Sequence, residues 1–226
     1  LDEISVPARE LGLPLPPWAQ VVALPAMGPF VGADAVAAAL AAALLQGPGP
    51  ALLMDLGTNG ELLLAHRGRL WATSCAAGPA LEGMGLSWGM VATAGAIVAV
   101  DRHLRCAVRG GVPPLGLAAS GALDAIAALL HHGVVEPSGR YSPSGHPWAS
   151  RLHQGPEGWT FLLEPPVELT QRDIRQIQLA LGALRAGAGA VLGAAGLAWP
   201  ELRRLVLAGE LGGRLPLETL RTLKLV

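Results

Sequence analysis

The 226-residue chain is 51% hydrophobic and only 15% charged, which supplies apolar side chains for a large core in one or two domains and excludes global disorder. Sixteen basic residues against seventeen acidic ones give a net charge of −1, which excludes the footprint of a nucleic-acid binder or of a polybasic membrane-surface protein. Cys75 and Cys106 are too few for a four-cysteine zinc or iron–sulfur site or for a disulfide framework, and they point to a reducing, cytoplasmic setting.

The first 27 residues are rich in proline, including Pro14, Pro16 and Pro17, and read as a connecting arm. Asp2 and Glu3 are unlike the basic start of a signal peptide, and a chain that begins at Leu1 predicts a natural amino terminus further upstream. Residues 33–45 predict a helix, with Asp34 near its start and Gly47-Pro48 ending it. Residues 51–55, 61–65 and 69–74 read as a three-stranded meander, the first two strands meeting at the turn Leu56-Gly57-Thr58-Asn59-Gly60. A strand pair follows at 95–100 and 104–108.

A helix opens near Ser120 and closes at His131-His132-Gly133, where histidines meet the negative end of the helix dipole. From about residue 134 to 166, Pro, Ser, Gly and His predict a long, mobile loop with a short strand at 159–163. Thr170 and Asp173 have the spacing of a capping box for a helix running to about Ala186 or on past Gly187 and Gly189. A strand at 205–208, a turn at 209–213 and a helix at 216–223 complete the order. The longest apolar stretches, 31–45, 90–100 and 179–199, are interrupted or bounded by charge at Asp34, Asp101 and Arg185, so they read as buried elements and no membrane association is expected.

The sharpest local signal is Asp55 at a strand end followed by Gly57, Thr58, Asn59 and Gly60. Glycines let successive backbone amides approach an anion, so such a turn can cradle phosphate oxygens, and a carboxylate there can hold Mg2+ or its water. Asn-Gly between two apolar strands is equally a plain hairpin signal. Glu61 and Glu82 flank the candidate loops and could polarise a water, with Glu61 taken as the catalytic candidate beside Asp55. Further glycine-rich turns surround Gly78, Ser120 with Gly121 at a helix start, and Gly209. His131 and His132, adjacent on a helix, suit a helix end better than a metal. Cys75 reads as a small packed residue or a reactive thiol.

The order of these motifs resembles a known family. Residues 24–34, Asp55 to Leu62, Ser74 to Gly83, Gly116 to Asp124, Leu169 to Ala180 and Ala208-Gly209 together look like the carboxy-terminal domain of the ATP-dependent reductive activators of corrinoid proteins, over roughly residues 6–213. The resemblance implies the α/β fold shared by acetate and sugar kinases, heat-shock ATPases and actin, built of ribonuclease-H-like halves that close on ATP. Residues 1–50 would then be an arm and helix from the end of a first half, and residues 51–226 the second half, opening with the meander. Asp55, Gly57, Thr58, Asn59 and Gly60 would form the second phosphate loop, with Gly78, Ser120 and Gly121 as further ATP contacts and Gly209 in the adenosine loop. Mg2+ would be held at Asp55. The family couples ATP hydrolysis to electron transfer onto a cobalt(II) corrinoid protein.

Departures from the family pattern qualify the expected activity. The iron–sulfur cluster domain and the first phosphate loop are expected on a region outside this chain, so the isolated chain should carry about half an ATP site and be inactive as an ATPase by itself. Glu210 and Leu211 stand where the family's adenosine turn has glycine and phenylalanine, and Ala118-Ala119 replace a Cys-Gly pair. The chain is therefore expected to be the ATP-binding domain of a reductive activator, with a corrinoid protein as partner and a homodimer as its assembly. The alternatives are a non-catalytic interaction or dimerisation module of the same fold, and a small-molecule kinase of the same superfamily.

Overall fold

The computed structural model describes residues 4–155 and 158–225. The strands are β1 (Ile4–Pro7), β2 (Gln20–Ala23), β3 (Ala51–Leu56), β4 (Asn59–His66), β5 (Arg69–Ala76), β6 (Ala96–Val100), β7 (Cys106–Val108), β8 (Gly116–Leu117), β9 (Leu152–Gly155), β10 (Gly158–Glu164), β11 (Val167–Thr170) and β12 (Arg204–Ala208). The helices are α1 (Ala33–Ala41), α2 (Ala119–His131), α3 (Gln171–Ala194), α4 (Gly209–Gly212) and α5 (Leu217–Thr222). The chain divides into two interleaved units, one gathering the residues up to Asp55 with Glu61–Ser74 and Gly187–Ala208, the other Leu56–Gly60, Cys75–Ala186 and the residues from Gly209 onward.

The first unit is organised by a four-stranded sheet of order β12-β3-β4-β5. β12 pairs with β3 in parallel, from Arg204 opposite Ala51 to Ala208 opposite Asp55. A continuous apolar run marks a strand covered on both faces, and Leu52, Leu53 and Met54 of β3 are all fully buried. α1 covers one face with small side chains, so Val31, Ala35 and Leu44 pack with Ala51, Leu53, Leu63 and Ala65. The helix stops at Ala41, short of the expected Leu45, because Ala43 takes a positive φ of 45° and turns Leu44 inward. Arg204 Nη2 then donates to the carbonyl oxygens of Ala43 at 2.8 Å and Leu44 at 3.2 Å, satisfying acceptors in the turn that follows the helix. The proline-rich arm is not wholly irregular: β1 and β2 form an antiparallel hairpin, Ile4 opposite Ala23 and Pro7 opposite Gln20.

The second unit holds two three-stranded sheets. In one, β6 pairs antiparallel with β7 and parallel with β8, and α2 lies against β6. In the other, β10 pairs antiparallel with β9 and with β11. The strand expected at 159–163 is present as β10, with Phe161 and Leu163 completely buried, and the segment read as a loop near 134–166 also contains β9. The expected strand at 104–108 begins only at Cys106, after Leu104 turns the chain with φ 58°.

The capping box of α3 forms as the spacing predicts. Thr170 N–H donates to Asp173 Oδ2 at 2.9 Å and Asp173 N–H to Thr170 Oγ1 at 3.1 Å. Asp173 is almost wholly buried, and its other oxygen accepts from the N–H of Ser87 at 2.8 Å and its hydroxyl at 3.0 Å, so the buried carboxylate has a full set of donors. At 24 residues and a window hydropathy of 1.4, α3 is long and apolar enough to cross a membrane by length and composition. Its buried positions, Ile174, Ile177, Ala180, Leu184 and Ala188, instead recur at the three- and four-residue spacing of a core helix.

Candidate functional site

In the first unit the candidate residues are carboxylates. Asp55 is the half-buried penultimate residue of β3, a position set by pairing with Ala208. Glu61 on β4 accepts a long hydrogen bond from the Ser74 hydroxyl at 3.4 Å. Burial raises the Glu61 pKa above the usual glutamate value, the negative charges of Asp55 and Asp34 add to the rise, and hydrogen bonds from its own backbone and from Ser74 partly oppose it. These carboxylates are near enough to act on one another. Among the described residues no group of three or more His, Cys, Asp or Glu side chains is arranged to hold a metal ion. Mg2+ keeps several waters and takes further oxygens from substrate phosphates, so one carboxylate fits that role without a protein cage.

In the second unit the loop Leu56–Gly60 is shaped by its contacts with the segment from Cys75 to Gly83. Gly57 and Thr58 form the two-residue link between β3 and β4, while Asn59 and Gly60, expected in the turn, already belong to β4. Neither Gly57 nor Gly60 has a positive φ; their need for glycine is close approach. A Cβ on Gly60 would stand 2.2 Å from Leu184 Cδ2 and 3.3 Å from Cys75 Sγ, and one on Gly57 would stand 3.3 Å from the Asn59 carbonyl oxygen.

The Thr58 peptide is held at both ends. Its carbonyl accepts from the Gly78 N–H at 2.9 Å, and its N–H donates to Glu82 Oε1 at 3.0 Å. The Cys75 thiol, half-buried, donates to the Gly60 carbonyl at 3.2 Å. The Thr58 amide that follows β3 is therefore directed at a side-chain carboxylate oxygen. Glu82 sits in a one-turn 3-10 helix, Pro79–Glu82, framed by Gly78 (φ 82°) and Gly83 (φ 78°). A Cβ on Gly83 would come within 3.4 Å of the Ala119 backbone nitrogen at the start of α2. Gly57, Thr58, Gly78 and Glu82 are thus brought together, with the α2 amino terminus beside Gly83.

The remaining predicted contacts have internal partners. Gly78 uses its N–H on Thr58, and the buried Ser120 donates its hydroxyl to the Val98 carbonyl at 2.6 Å. Gly121 meets β6 so closely that a Cβ would stand 2.3 Å from the Ile97 carbonyl oxygen. Gly209 follows β12 directly and starts the single turn α4 with φ 80°. There Glu210 turns out to an exposed ion pair with Arg214 at 3.0 Å, and Leu211 is buried. His132, just past the end of α2, bonds the Arg102 carbonyl through Nε2 at 2.5 Å. Glu82 as an acceptor for the loop was not readable from sequence. The only available signal was an acid between two glycine-flanked turns.

The pattern of one protein family, described as the C-terminal domain of RACo, the ASKHA domain, matches residues 49–226. A corrinoid activation enzyme, RamQ, of Eubacterium limosum is 33% identical over 233 residues, covering 93% of this chain and 38% of that protein. A [Co(II) methylated amine-specific corrinoid protein] reductase of Methanosarcina barkeri is 29% identical over 229 residues, covering 90% of this chain and 40% of that protein. Among solved structures, a reductive activator for a corrinoid, iron–sulfur protein superposes with a TM-score of 0.81 at 29% identity, over 98% of this chain and 37% of the other. The chain spans about two fifths of the length of the curated relatives it matches.

Proposed function

Because the chain belongs to the family of the C-terminal ASKHA domain of RACo, with its actin-like ATPase fold, we propose that it is the nucleotide-binding part of a reductive activator that couples ATP hydrolysis to electron transfer onto a cobalt(II) corrinoid protein. The observation that carries this reading is the Thr58 N–H, which leaves the β3–β4 turn pointing at an anionic oxygen. Gly57, Thr58, Asn59 and Gly60 would bind the phosphate tail through backbone groups, with Gly209 on the adenosine side. Asp55 would hold Mg2+ or its water, and Glu61 would orient or accept a proton from the attacking water. Bound Mg2+ supplies charge neutralisation for phosphoryl transfer. The residues of this chain position and desolvate, and none is required as a nucleophile.

The electron would come from an iron–sulfur cluster on a region outside this chain. A corrinoid protein as partner, a homodimeric assembly and a cytoplasmic setting belong to the same proposal, supported by the names of the relatives and by the two-cysteine composition. One observation favours the non-catalytic module: at the adenosine turn Leu211 is buried and Glu210 is engaged with Arg214.

The test is the melting temperature and calorimetric titration of the chain with Mg·ATP. A ligand held at a hundred times its Kd stabilises by about 2.7 kcal/mol, so a clear upward shift is expected, reduced by Asp55→Asn. No heat and no shift at millimolar Mg·ATP would favour the module.

A further inference from the structure

We propose that Glu82 is a gate on the phosphate loop, an intramolecular carboxylate that competes with a nucleotide's phosphate for the Thr58 amide. The inference rests on the nucleotide-binding reading above and specifies how access to that site is controlled. Three observations carry it. Glu82 Oε1 accepts the Thr58 N–H at 3.0 Å, the same donor a phosphate oxygen would use. The same oxygen stands 3.7 Å from where a Cβ on Gly57 would be, so it covers the glycine that opens the loop to a ligand. The frame around it is backbone: Gly78 N–H on the Thr58 carbonyl fixes the two loops to each other, and the 3-10 turn bearing Glu82 is bounded by two glycines of positive φ.

The gate therefore opens by rotation of one exposed side chain, with no rearrangement of either loop. Two anions cannot share one N–H at hydrogen-bonding distance without strong repulsion, so a phosphate that lands must displace the carboxylate. A ligand whose charge is partly neutralised, such as a divalent-cation complex of a nucleoside triphosphate, would displace it more readily than the bare anion. Adenosine, which has no phosphate, would not contend with Glu82.

The experiment is calorimetric titration of the wild-type chain, Glu82→Ala and Glu82→Gln with Mg·ATP and with adenosine, accompanied by the Thr58 amide resonance in a proton–nitrogen correlation spectrum. An exposed hydrogen bond to a charged group is modest, so Glu82→Ala is expected to bind Mg·ATP about three- to tenfold more tightly. Glu82→Gln, which keeps an acceptor oxygen and loses the charge, should fall between it and wild type, with adenosine unchanged throughout. The Thr58 amide should move on the substitution alone, and move again when Mg·ATP is added. If wild type binds Mg·ATP but both variants bind it equally or more weakly, Glu82 is only a loop latch and the gate is overturned. The gate is also overturned if adenosine gains as much as Mg·ATP. If Mg·ATP leaves the Thr58 amide unmoved in all three proteins, the nucleotide-binding reading fails, and the gate with it.

Discussion

The electrostatics of Glu61 decide how its neighbourhood responds to pH. Its folded-state pKa is raised, first by burial and then by Asp55 and Asp34, so the folded protein binds this proton more tightly than the unfolded chain does. Its contribution is fully present below the ordinary glutamate value of about 4.3 and is lost as the pH rises through the raised value. Glu61→Gln should therefore flatten the fall in melting temperature across that acid range and should not destabilise at neutral pH. A melting series against pH checks this. Glu61 is only half-buried, so screening keeps the effect small. Legibility differed residue by residue. Asp55 and its glycine turn could be read from the chain because strand, acid and turn are consecutive. Glu82 could not, since its partner is 24 residues away in sequence and they meet only through the folding of two loops.

At the scale of elements, glycines in helices separate into two kinds. Alanine is the better helix former by about 1 kcal/mol, so a helix glycine with free space around it should improve on substitution. Gly182 on α3 has nothing within 4 Å of a would-be Cβ, and Gly182→Ala is expected to stabilise by about 0.5–1 kcal/mol. Gly121 on α2 faces the Ile97 carbonyl oxygen at 2.3 Å, a backbone atom that cannot rotate away. There the overpacking cost of roughly 1–3 kcal/mol outweighs the propensity gain, and Gly121→Ala should lower the melting temperature. Chemical denaturation of the two variants side by side reads the difference.

The tie between α2 and α5 is also testable. Asp124 is buried and its pKa is raised by that burial, against the opposing hydrogen bonds from the Thr219 hydroxyl at 2.6 Å and the Val100 N–H at 3.4 Å. Thr219→Val removes the shorter bond from a buried carboxylate and should cost about 1–3 kcal/mol in denaturant unfolding. Element types were readable where periodicity was strong, as in α2, and in α3 with its capping box. They were not where tertiary contact overrode local preference. The polyalanine run predicted a helix to Leu45, but burial of Leu44 ended it at Ala41. The Pro- and Gly-rich stretch after Gly133 hid β9, in which Leu152 alone is buried, whereas β10 was readable at 159–163 from its apolar run.

Across the whole chain, the family was readable from the order of motifs before any coordinate, because short turns that bind backbone to backbone must keep their glycines and their spacing. The interleaving of the two units was not, since pairing Arg204 with Ala51 depends on a register between distant segments that no local pattern encodes.

That long-range pairing has a consequence for biogenesis. During synthesis Leu52, Leu53 and Met54 emerge from the ribosome far ahead of β12, the neighbour that flanks their strand. A sheet closed across such a span forms late and slowly. Until then an apolar edge is open to pairing with other nascent chains, so the yield of this protein in a cell should depend on chaperones that shelter that edge.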